Sequence, residues 1–156
     1  MTEEITSAFW DWAVEVYMVD AVRTRLLAWQ DDYDVVILEL LYVLWLARQG
    51  RTMGDSDMRA LHLRIRPWVD QVVLPLRQVR QQWTADIVHS DYRSRLLTLE
   101  LEAERHLAAL LQSLPIPGEE EATETCAVTT QIDLWCAVLN KPISAAEKRA
   151  LLSDLM

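Results

Sequence analysis

Val35-Val36-Ile37-Leu38-Glu39-Leu40-Leu41-Tyr42-Val43-Leu44-Trp45-Leu46-Ala47 is apolar on nearly every side and carries one charge, Glu39. A helix that is hydrophobic all round is buried by its neighbours. The stretch is too short to cross a bilayer, which takes about 20 residues. Asp31-Asp32-Tyr33-Asp34 precedes it, and Arg48-Gln49-Gly50 comes after it. Acids at the start and a base near the end suit the helix dipole, and Gly50 supplies a C-terminal stop. The reading is an all-α fold: a compact bundle of six to seven helices around a buried central helix at about 35–47.

The 156 residues suit one helical domain, 1–156, with a core of useful size. Apolar residues make up 51%, with only 3 Gly and 5 Pro, as in a folded chain. Net charge is −9, unevenly placed: segments 1–50 and 96–125 each carry −6, and 51–95 carries +3. A basic segment packed between two acidic ones explains this pattern. The acidic total argues against nucleic acid, whose affinity rests on phosphate contacts. The acidic start, Met1-Thr2-Glu3-Glu4, does not resemble a secretory signal, so a cytoplasmic location is expected. Cys126 and Cys136 lack a zinc spacing and read as small core residues.

Outward from the central stretch, Phe9, Trp10, Ala13, Val14 and Tyr17 recur at helical spacing after a cap at Thr6 or Ser7. Val19, Val22, Leu26 and Trp29 carry a second helix, or a continuation of the first, to about Gln30, with Asp20 at the bend. A third begins after Gly54, capped by Asp55 or Ser56, and runs through Met58, Leu61, His62 and Ile65 until Pro67 ends it or starts a fresh turn. Val69, Val72, Leu76, Val79 and Trp83 then form the most regular apolar face of the chain. Pro75 lies inside this helix at about 67–83, removes the bond to the Gln71 carbonyl, and should kink it. That face is compatible with a homodimer, although core packing is the stronger reading. Leu96, Leu99, Ala103, Leu107, Leu110 and Leu114 mark the next helix. An acidic Pro/Gly loop at 115–125 is the candidate mobile segment. Val128, Ile132, Trp135 and Leu139 carry the penultimate helix, broken at Asn140-Lys141-Pro142. Ser144 to Glu147 is a capping box opening the last one.

Chemistry-bearing candidates are few. Glu39 belongs either to a narrow solvent stripe with Asp32, Tyr42 and Gln49, or to a structural ion pair. The acids at 31–34 have no second cluster to share magnesium with, and read as a capped helix start. Glu102 and His106 are four apart and can pair on one helix face, but Ala103 breaks the di-iron pattern. No metal or cofactor is expected. No Gly-x-Ser-x-Gly, P-loop or dinucleotide fingerprint occurs. Arg77 and Arg80 lie one turn apart beside Pro75; like Arg64 and Arg66, they pair with the acidic helices or meet an acidic or phosphate-bearing partner. Trp10 and Trp12 cannot both face inward, so one of them, or Trp68, is a candidate exposed interface anchor.

Phe9-Trp10, Tyr17, Gln30-Asp31, Trp45-Leu46 with Gly50, Trp68 and Pro75-Leu76-Arg77 with Arg80 together resemble a bacterial family of conserved hypothetical proteins of similar length, a domain of unknown function. The resemblance covers about the first 80 residues, and the Glu-rich helix at 92–105 is similar in character. It implies a compact all-α fold and no particular activity. Members often show Asp-Val-Asn at the start of the central helix, where this chain has Val36, Ile37 and Leu38. The functional expectation is a non-enzymatic adaptor that binds another protein, with no membrane association, through Arg77, Arg80, Trp68 and Trp10. The alternative is a small-molecule binder or enzyme with an apolar pocket between helices, lined by Trp, Glu39, Arg77 and Arg80.

Overall fold

The structure, a computed structural model, describes residues 2–84, 87, 89–114 and 124–155, with side chains from residue 8 and, in the helix that starts at 124, from residue 127. The helices are α1 (Thr2–Tyr17), α2 (Asp20–Tyr33), α3 (Ile37–Arg48), α4 (Asp55–Trp68), a π-helical turn (Val69–Val73), α5 (Leu74–Gln82), α6 (Ser90–Gln112), α7 (Glu124–Val138) and α8 (Ala145–Leu155). Because α4, the π turn and α5 run on without a break, the described residues form seven continuous helical stretches and no strand.

α3 is the hub. Leu38 to Leu44 are buried without interruption, as are Leu46 and Ala47. Its neighbours are α1, α2, α6 and, along the longest interface, α7. Phe9 of α1 docks edge-on against Tyr42 at 5.1 Å between centroids and lies 5.5 Å from Trp45. Burial pushes the Tyr42 phenol up to about 12, against the smaller opposing pull of Arg51. One core unites these helices, with residues from Phe9 through to Leu152.

The stops are those the turn residues dictate. Gly50 takes φ 75°; its N–H reaches the Ala47 carbonyl (3.0 Å) while the Arg51 N–H reaches Leu46 (3.0 Å). That pair of bonds is the Schellman closure, and it needs a residue free to go left-handed. Asn140 (φ 56°) ends α7 the same way, with the Lys141 N–H on the Cys136 carbonyl at 2.8 Å.

Several expectations are corrected. α1 already runs from Thr2, so Thr6 and Ser7 lie inside it rather than capping it. Asp31, Asp32 and Tyr33 do not start the central helix; they are the last turn of α2, and Asp34 is its left-handed cap. Acids at a helix C-terminus oppose the dipole. Lys141 offsets this by donating its Nζ to the Tyr33 (2.9 Å) and Asp34 (3.0 Å) carbonyls. Gly54, not Asp55 or Ser56, precedes α4, with its N–H on the Asp57 carboxylate at 3.2 Å. Pro67 neither ends nor restarts a helix, since α4 passes through it. The backbone instead widens into the π turn, where the Leu74 N–H bonds the Val69 carbonyl five residues back. The extra residue absorbs the lost Pro75 bond. Val69 and Val73 are buried here and Val72 and Leu76 pack half-buried against the core, although no residue of α5 is fully buried. In α6, Leu99 is exposed while Ala108 and Leu111 join the core. The acidic stretch 115–123 lies outside the described residues, and 124–125 already belong to α7.

The C-terminal helices are tied in by polar contacts as well as packing. The buried Gln131 amide brackets Met53, accepting from its N–H at 2.7 Å and donating to its carbonyl at 3.1 Å. Glu147 donates its N–H to the Ser144 hydroxyl at 3.2 Å, while its carboxylate accepts from the buried Trp29 indole at 2.5 Å. A chain ending at residue 114 would uncover α3 along its longest interface. It is expected to lose cooperative unfolding altogether in a urea titration monitored by near-UV circular dichroism.

Candidate functional site

α1, the α2–α3 junction, the π turn, α5 and α6 enclose an open groove of about 460 Å³. This volume is within the roughly 300–1,000 Å³ of small-molecule sites. One wall carries Val14 of α1, Met18 of the turn after it and Leu27 of α2, and another Leu97 and Leu101 of α6. All five are exposed, Met18 at 71% and Leu97 and Leu101 at 54% each. The floor is the start of α3, with Val69 and Val73 of the π turn.

The groove is polar at its α5–α6 side. α5 and α6 are consecutive helices joined by a short connection, so they run antiparallel. Arg77 then falls opposite Glu104 (3.8 Å), and Arg80 opposite Glu100 (2.9 Å, with Nε donating). Leu97, Glu100, Leu101 and Glu104 are spaced three, one and three, a single face of α6 beside its buried stripe. Glu104 keeps 33% of its side chain open to the groove. Burial nevertheless raises its carboxyl above the usual carboxylate range; Arg77 opposes that rise and Glu100 adds to it. Burial likewise raises the Tyr17 phenol, against Arg23 and with Glu104 also pushing up, while Arg77 and Arg80 pull down.

Arg77, Arg80 and Trp10 therefore meet at one site, with the Arg105 guanidinium over the Trp10 ring at 5.4 Å. The expected pairing of the basic segment with the acidic helices is present in Arg77–Glu104, Arg80–Glu100 and Arg66–Asp34. Trp68 is elsewhere: it is half-buried, donates its indole N–H to the Ala103 carbonyl (3.0 Å), and lies 4.3 Å from the His106 ring. That contact takes the place expected for a Glu102–His106 pair. Glu39 is also outside the groove. The solvent stripe does not exist, because Glu39 (1% exposed) and Tyr42 are both buried. The Glu39 carboxylate instead meets the His62 Nδ1 at 2.9 and 3.2 Å. A histidine, not an arginine, satisfies it.

Sequence reasoning misses Tyr17, Glu100, Glu104, Leu97 and Leu101 as site residues. Part of their signal is legible: two leucines and two glutamates, each four apart, on a face the core stripe does not use. A second cleft lies between α7 and α8 beside Val128, Ile132 and Leu152, where Lys148 bonds Asp133 at 2.7 Å. Among the described residues no group of three His, Cys, Asp or Glu is placed to share a metal ion, and no helix is long and apolar enough to cross a membrane.

Residues 8–111 match the model of a family described as Protein of unknown function (DUF2390). The chain belongs to the DUF2390 family. The matched span contains every residue named in the groove. No curated protein and no solved structure matches the chain.

Two titratable groups set testable stabilities. A carboxyl whose pKa is raised by folding binds protons more tightly in the native state, so its stability contribution is lost as pH rises. The wild type should therefore lose stability as pH climbs from the usual carboxylate range through the raised value of Glu104. Glu104→Gln should flatten that stretch of a melting-temperature profile. His62→Leu strands a buried carboxylate and should cost about 3 kcal/mol in urea unfolding, most of it recovered in the double variant Glu39→Met/His62→Leu.

Proposed function

We propose that this protein is a non-enzymatic binding protein whose groove between α1, α2, α5 and α6 takes an amphiphilic ligand. The observation that carries the reading is the convergence of exposed Val14, Met18, Leu27, Leu97 and Leu101 on a groove of ligand size with a polar side. Apolar walls with a few convergent polar groups are the usual form of a ligand site. Among the described residues, no histidine, cysteine or serine lines it. Its polar side chains, Tyr17, Arg77, Arg80, Glu100 and Glu104 among them, can hold and orient a ligand. We place this activity in the cytoplasm, in keeping with the free thiol of Cys136, which burial pushes up to about 11.

The open rim favours a second reading on the same surface. Two exposed leucines one turn apart on α6, facing α1 across the groove, also suit the apolar face of a partner protein's helix. In that case the protein is an adaptor and Trp10, Arg77 and Arg80 frame its docking face.

The groove reading is tested with an environment-sensitive apolar dye. Leu97→Asp/Leu101→Asp should weaken dye binding at least tenfold with an unchanged far-UV spectrum. Leu63→Asp, also exposed but on α4 away from the groove, should bind as the wild type does. Equal binding by the Leu97/Leu101 variant would remove the groove from the function.

A further inference from the structure

Arg77 and Arg80 face the same helix but are not equivalent. Arg80 donates its Nε to Glu100 at 2.9 Å, a hydrogen-bonded ion pair, and is 45% exposed. Arg77 is only 22% exposed, and its partner among the described residues, Glu104, stands at 3.8 Å. That separation is outside hydrogen-bond range. A guanidinium has five N–H donors in a planar fork that fits the two oxygens of a carboxylate or phosphate. Among the described residues, Arg77 thus sits at the base of an apolar groove with no protein acceptor hydrogen-bonded to its fork.

We propose that the groove selects a single-chain amphiphile with an anionic head, a carboxylate or a phosphate, held by the Arg77 fork while its chain lies between Trp10, Val14, Leu97 and Leu101. This rests on the groove being a ligand site. The charges around the head position favour the assignment. Glu100 is occupied by Arg80, and Asp34 at the groove edge has Arg66 at 3.4 Å. Glu104, 3.8 Å from Arg77, is beyond hydrogen-bond range and leaves the donors of the fork free to meet a ligand. The Tyr17 hydroxyl, within electrostatic reach of both Arg77 and Glu104, is a further donor. A cationic head could meet only carboxylates that already face Arg66, Arg77 or Arg80, and a neutral one would leave the Arg77 fork unused.

The test titrates the full chain calorimetrically with decanoate, decyl phosphate, decyl maltoside and decyltrimethylammonium, each below its micelle concentration. The two anions should bind at least tenfold more tightly than the neutral and cationic chains, and the tighter anion identifies the head group. Arg77→Gln should abolish that preference while leaving decyl maltoside binding unchanged. Arg77→Lys, which keeps the charge without the fork, should retain part of it. Equal binding of all head groups by the wild type, a preference for the cation, or an anion preference that survives Arg77→Gln would each overturn the anion site and leave the groove standing. Binding of none of the four would overturn the groove reading with it. The wild-type comparison decides the matter even if a variant fails to fold.

Discussion

A twelve-residue helix with no polar face cannot sit at a surface, and the rest of the molecule is arranged to cover α3. Burying one Leu of this kind contributes about 2 kcal/mol, and α3 holds Leu38, Leu40, Leu41, Leu44 and Leu46 together with Val43 and Tyr42. No single neighbour can cover all sides of a cylinder. α1, α2 and α6 take part of it, and α7 lies along the remainder. The family match ends at residue 111, yet α7, α8 and the connection between them bond back into the matched region through Gln131 to Met53, Glu147 to Trp29, and Lys141 to the end of α2. The C-terminal segment is part of the core, not an appendage to it.

Burial on all sides also explains the Glu39–His62 contact. A charge carried into the interior needs a partner on a different element. α4 supplies it from its partly exposed edge, where His62 can be reached by water while the carboxylate cannot. The pair ties α4 to α3 by a side-chain contact, while α4 packs mainly on α6 and α7.

π-helical turns recur at functional sites, and the extra residue re-aims the helix beyond it. Here Val69 and Val73 both face inward, and Arg77 and Arg80 continue on the same side toward α6. Pro75 suits that geometry because the widened turn has already released the bond it cannot make. The same helix therefore contributes apolar floor and charged base to one site.

Much of this was legible in the sequence. The uninterrupted apolar run dictated a buried central helix, Gly50 and Asn140 dictated where two helices stop, and the alternation of charge between segments anticipated the Arg–Glu pairs. These are local or compositional facts, set by backbone freedom and by net charge along the chain. What only the tertiary structure decided was facing. The acids at 31–34 end one helix instead of starting the next, Glu39 is buried against a histidine 23 residues away, and the exposed leucines of α6 meet the apolar side chains of α1 and α2 across a gap. A periodicity fixes which residues share a side of a helix. It does not fix which side is covered, because that depends on how many neighbours a helix has and at what angle they cross it.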